Sequence, residues 1–97
     1  MRAIPITPAL VRVAERTVWF KPPSAALADG FHFVAHVLTY GAHDDVEELR
    51  RHLSDADLRE ALAHAPAGVF DRRSWAYWNA KLGNTPVPAP PQRVIPG

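Results

Sequence analysis

Between Gly30 and Gly83 the apolar residues return with a helical period. Phe31, Val34, Ala35 and Leu38 stand at i, i+3, i+4 and i+7, which places them on one face of a helix over 31–40. Asp29-Gly30 precedes this segment, and Gly41 follows it where a left-handed C-terminal cap belongs. It is the most hydrophobic stretch and the expected central helix. Asp44-x-x-Glu47 then has the spacing of a capping box for a helix running to Leu53, with Val46, Leu49 and Leu53 inward and Glu47 paired with Arg51 one turn on. Ser54-x-x-Asp57 opens a further helix without an intervening loop. Leu58, Ala61, Leu62 and Ala65 form its stripe, and Pro66 with Gly68 ends it. Asp71 suits the N-cap of the last helix, Phe70 is placed to pack on Trp75, and Gly83 supplies the C-terminal cap. Trp75, Trp78 and Leu82 share one face of that helix, and Tyr77 lies on another side.

The two ends of the chain follow different rules. Thr7-Pro8 reads as an N-cap and first-turn proline for a helix to Val18, although Val11, Val13 and Thr17-Val18-Trp19-Phe20 also suit a strand. A short helix followed by an extended stretch is the favoured reading, with Trp19 and Phe20 anchoring this arm to the helical block. Pro22-Pro23-Ser24 breaks the chain before a single turn at Ala25–Ala28. From Asn84 to Gly97 there are five prolines and no apolar period, so the segment is read as an extended tail, with Pro88-x-x-Pro91 suited to a polyproline conformation. The expected architecture is all-α: a small bundle of four to five short helices, divided into an N-terminal arm (1–23), a helical domain (24–83) and a Pro-rich tail (84–97).

Composition narrows the function classes. The chain has 97 residues, 47% of them apolar and 22% charged, which is enough for one folded domain with a modest core. The absence of cysteine removes disulfides, thiolate nucleophiles and cysteine-based metal sites. No signal-peptide pattern or membrane span is expected, so the anticipated location is the cytoplasm. Net charge is +1, but residues 43–64 carry seven acids against three arginines, and the remainder carries eight basic residues against three acids. The middle of the chain would therefore repel a phosphate backbone, and only its ends would attract one.

Catalytic constellations do not emerge. His32 and His36 have the i, i+4 spacing of metal-binding helices, but the residues between them are Phe33, Val34 and Ala35, without the acid a zinc hydrolase needs. With Thr39 and His43 they read as the solvent-facing or partner-facing edge of the central helix. His52 and His64 each lie one turn from a glutamate, Glu48 and Glu60, and read as local ion pairs. Ser54 is taken up as a cap and Ser74 lies in a first helical turn, so no nucleophile–base set is expected. No catalytic residue, metal site or cofactor is assigned, and the chain is read as not an enzyme.

Arg72-Arg73-Ser74-Trp75-Ala76-Tyr77-Trp78 is the most distinctive string. Trp, Tyr and Arg are the residues enriched at the energetic centres of protein interfaces. Trp75 and Trp78 read as core before contact. Arg72, Arg73 and Tyr77, with Pro88, Pro91 and Arg93 of the tail, are the better candidates for a partner's surface. The helices after Asp44 also fit a helix-turn-helix regulator entering DNA by Arg72 and Arg73, but the preceding helices are acidic and the last is bulky and aromatic where base-reading polar side chains should stand. A structural subunit and a homo-oligomer also stay open.

The string Phe33-Val34-Ala35-His36-Val37-Leu38-Thr39-Tyr40-Gly41, followed by Asp44-Asp45 and by Ser74-Trp75-Ala76-Tyr77-Trp78, resembles a family of short bacterial proteins. These are often encoded beside nucleotidyltransferase-like toxins of the abortive-infection type. The resemblance spans residues 19–83, and His36 stands where the family tends to carry arginine. It implies an antitoxin or accessory subunit that neutralises a protein partner, the toxin of the neighbouring gene, by covering one of its surfaces.

Overall fold

Thr7 extends the chain into Pro8 and accepts the Leu10 amide at 3.1 Å, and from this cap a first helix, α1 (Pro8–Thr17), begins. In the computed structural model, which describes residues 1–91, five more helices follow. They are α2 (Pro23–Ala28), α3 (Gly30–Tyr40), α4 (His43–His52), α5 (Asp55–Ala63) and α6 (Arg72–Lys81). No strand occurs among the described residues. The fold is all-α, with six helices among the described residues where four to five were expected, because residues 8–17 resolve to helix and the turn after Pro22 extends to six residues with Pro23 at its start.

The N-terminal segment is part of the core and not an appendage to it. Leu10, Val13 and Ala14 of α1, with Val18 just beyond, are fully buried with Phe33, Val34 and Val37 of α3. The positions 10, 13, 14, 17 and 18 are one helical stripe, and Thr17 joins it by donating its hydroxyl to the Val13 carbonyl at 2.8 Å. That stripe decides where Trp19 and Phe20 go. Once Val18 is inside, the turn that follows carries both aromatics outward, and Trp19 is 79% exposed. The sequence suggested that both anchor the segment; Trp19 does not, Phe20 reaches α3 only by edge contacts with His32 and His36, and Val18 and Ile4 supply the buried anchors.

Helix α3 is the centre of the molecule, packed by α1, α2, α4, α5 and α6. Five neighbours leave it little room for a polar stripe, and residues 33–38 are all buried. His36 is consequently an interior residue and not part of an exposed edge. Its ring lies 5.5 Å from Phe20, 5.8 Å from Tyr40 and 4.1 Å from His32, and its Nδ1 is 2.9 Å from the His32 carbonyl.

Two caps differ from expectation. Gly41 is extended, at φ −69° and ψ 148°, and not left-handed. A side chain there would meet the carbonyl oxygen of Val37, in the last turn of α3 itself, at 2.5 Å and the Asp45 Cβ of α4 at 3.2 Å, so glycine serves the tight exit from α3 into α4. The start of α4 is set by Asp45, not by the Asp44 and Glu47 pair: the Ala42 amide donates to Asp45 Oδ2 at 3.0 Å. The other oxygen of Asp45 accepts Arg16 Nε at 3.0 Å, which joins α1 to α4 and pairs an otherwise buried carboxylate. Glu47 pairs with His43 at 2.8 Å and Arg51 with Glu48 at 2.9 Å, in place of the expected Glu47–Arg51 contact. The remaining caps form as their side chains dictate. Ser54 and Asp57 satisfy one another's amides at 2.9 and 3.2 Å, and Asp71 accepts the Ser74 amide at 2.6 Å.

Candidate functional site

The last helix is fixed from the inside. Trp75 and Trp78 are buried, as their spacing with Leu82 predicts. Phe70, just ahead of the Asp71 cap, packs its ring 5.4 Å from that of Trp75 as a hydrophobic staple. Asn79 is fully buried, donates to the Trp75 carbonyl at 2.9 Å and accepts from the Asn84 side chain at 2.7 Å. Gly83, at φ +78°, lets the chain reverse at the end of α6.

These anchors leave the opposite face of α6 outward, and there it forms one wall of a groove of about 440 Å³ against α4 and the end of α3. Leu38, Val46 and Trp78 supply its apolar lining. Arg73, Tyr77 and Lys81 follow one another at four-residue intervals along the α6 wall. Tyr77 is 55% exposed, its ring edge-on to Trp78 at 5.2 Å and with Lys81 Nζ 5.9 Å from its centroid. Across the groove α4 contributes His43, Glu47 and Arg50. Arg50 lies 6.0 Å over the Trp78 ring and pairs with Asp55 at 2.8 Å. At the head of α6 the Asp71 carboxyl is held below the usual carboxylate range, first by the Ser74 amide it accepts, with Arg73 acting in the same direction.

The structure divides the residues singled out in the sequence. Arg73, Tyr77 and Trp78 meet at this groove. Arg72 is exposed at the start of α6 but does not line it. Trp75, Pro88 and Pro91 come together on another side of α6, in a cleft shared with Leu62 and Ala65. There the Trp75 indole donates to the Pro88 carbonyl at 2.8 Å, so this part of the tail lies against its own domain. Arg93 lies outside the described residues. Lys81 was missed although its spacing from Arg73 and Tyr77 was available in the sequence. Val46 and Arg50 carried no comparable signal, because only the packing of α4 beside α6 brings them in.

The histidines do other work than the spacing suggested. His64 stacks on Phe31 at 4.7 Å and places Nδ1 3.0 Å from the Glu60 carbonyl oxygen, so it is not an ion-pair partner of the Glu60 side chain. His52 does pair with Glu48, at 3.2 Å. Among the described residues no three His, Asp or Glu side chains gather as a metal-binding group. No helix among them is long and apolar enough to cross a membrane.

No family, no curated protein and no solved structure matches this chain.

Proposed function

We propose that the chain is a non-catalytic protein-binding subunit, the antitoxin of a toxin–antitoxin pair, and that its nucleotidyltransferase-like partner docks in the groove between α4 and α6. The observation that carries the binding role is the exposure of Tyr77 between Arg73 and Lys81 over an apolar floor. A rigid ring with a polar tip gains contact area at little cost in entropy, and flanking cations orient the partner. The helix that presents them is held by Trp75, Trp78 and Asn79, so the surface is pre-organised. The toxin as partner rests on the resemblance of residues 33–41 and 74–78.

The test is co-expression with the product of the adjacent gene. That product should arrest growth when expressed alone, and this chain should relieve the arrest and co-purify with it. Tyr77→Ala combined with Arg73→Glu should abolish both effects while leaving the helical circular dichroism unchanged. A harmless neighbour would overturn the antitoxin role, and full rescue by the double variant would overturn the groove as the docking site.

A further inference from the structure

The two walls of the α4/α6 groove differ in charge and in how that charge is used. On α4, Glu47 accepts a hydrogen bond from the exposed His43 at 2.8 Å, and Arg50 forms an ion pair with Asp55 at 2.8 Å. On α6, among the described residues, Arg73 and Lys81 form no salt bridge with any carboxylate. The cap carboxylate nearest to Arg73 in sequence, Asp71, accepts the Ser74 amide and feels the Arg73 charge without forming a salt bridge to it. Two unpaired cations thus stand eight residues apart on one helix face, with Tyr77 midway and an apolar floor of Leu38 and Val46 beneath.

We propose that the groove receives an acidic protein segment with a single apolar anchor, whose side chain enters against Leu38 and Val46 beside Tyr77 while flanking carboxylates reach Arg73 and Lys81. This rests on the protein-binding reading and names the chemistry of the partner. The cations without a carboxylate partner among the described residues stand on one wall, on either side of an apolar centre, which matches discrete carboxylates flanking a hydrophobic residue. A nucleic acid fits less well. Its phosphates repeat continuously, whereas the two cations are separated by an apolar floor of Leu38 and Val46 that offers a phosphate backbone nothing.

Fluorescein-labelled Glu-rich peptides bearing one central Leu, Phe or Trp, their Lys-for-Glu counterparts, oligo-dT and a short DNA duplex provide the probes, read by fluorescence anisotropy against the full chain. At least one acidic peptide should bind, the Lys counterparts should not, and Arg73→Glu with Lys81→Glu should weaken the acidic peptide about tenfold or more. The same variant should gain affinity for the Lys peptide. Arg12→Glu, an equal charge change on the exposed side of α1, should leave binding unaltered. Equal binding of acidic and basic peptides by the wild-type chain, a comparison that needs no variant to fold, would overturn the proposal. So would preferential binding of DNA, or self-association abolished by the Arg73 and Lys81 reversals, which would make the occupant a nucleic acid or a second copy of this chain. If the adjacent toxin co-purifies through Tyr77 and Arg73 but no acidic peptide binds, the protein-binding reading stands and this one falls. If the peptide binds and the toxin does not, the reverse holds.

Discussion

The indole of Trp78 donates a 3.0 Å hydrogen bond to the carbonyl of Leu38, forty residues earlier in the chain. Leu38 lies in the last turn of α3, whose carbonyls have no amide ahead of them within the helix. The amide that would ordinarily follow, that of Ala42, is turned instead to Asp45 at the start of α4. Trp78 therefore supplies the donor that the α3–α4 turn takes away, and the same contact locks the groove-forming helix to the centre of the fold.

Trp78→Phe keeps a ring in the same site and removes that donor. It should lower stability by about 1–3 kcal/mol, the range for leaving a buried polar group unpaired. The check is a urea titration, in which the midpoint should fall with no change in slope. A midpoint equal to the wild type's would mean that water, not Trp78, satisfies the Leu38 carbonyl.

Gly41 and Gly83 are both needed, for different reasons that substitution separates. At Gly41 the backbone is in an ordinary extended conformation, but an added Cβ would lie 2.5 Å from the Val37 carbonyl oxygen and 3.2 Å from the Asp45 Cβ. At Gly83 the space is open and only the φ of +78° resists a side chain. Gly41→Ala must shift the backbone where α3 ends and should cost about 1–3 kcal/mol, as overpacking does. Gly83→Ala should cost about 1 kcal/mol, the strain of a left-handed alanine. Denaturant midpoints of the two variants should fall in that order, and the reverse order would show that the turn at Gly41 relaxes freely.

Features set by adjacent residues were legible in the sequence. Thr7, Ser54 and Asp71 cap helices because a short side-chain oxygen reaches an amide two or three residues on, whatever surrounds it. The Phe70–Trp75 staple is local in the same way. What failed depended on contacts distant in the chain. His36 looked like a surface residue because a histidine on one isolated helix does, and only the fold brings Phe20 and the end of α1 over it. Trp19 and Phe20 looked like anchors because they are large, but size does not bury a side chain when the stripe beside it already fills the core. The groove was half visible: Tyr77 and Arg73 could be placed outward from the Trp75–Trp78 stripe, while its α4 wall required the fold.

Acid should destabilise the molecule in two separable stages. His32 has a lowered pKa, first because it is partly buried, then because His36 and Lys21 repel its charged form, against a smaller opposing effect of Asp29. The unfolded chain therefore takes up this proton before the folded one, and stability falls as pH drops below the unfolded histidine value of about 6.5 until folded His32 is protonated as well. Asp57 is shifted down as well, chiefly by the Ser54 amide it accepts, with the Ser54 hydroxyl and Arg2 adding to it. Its contribution is present above the unfolded carboxylate value of about 4 and is lost as pH falls from there through the lower folded value. Urea midpoints measured across this range should show a shallow decline near pH 6 that is missing in His32→Gln. They should also show a second decline below about pH 4 that is reduced in Asp57→Asn. A first decline of undiminished size in His32→Gln would assign it to another histidine and remove His32 from the account.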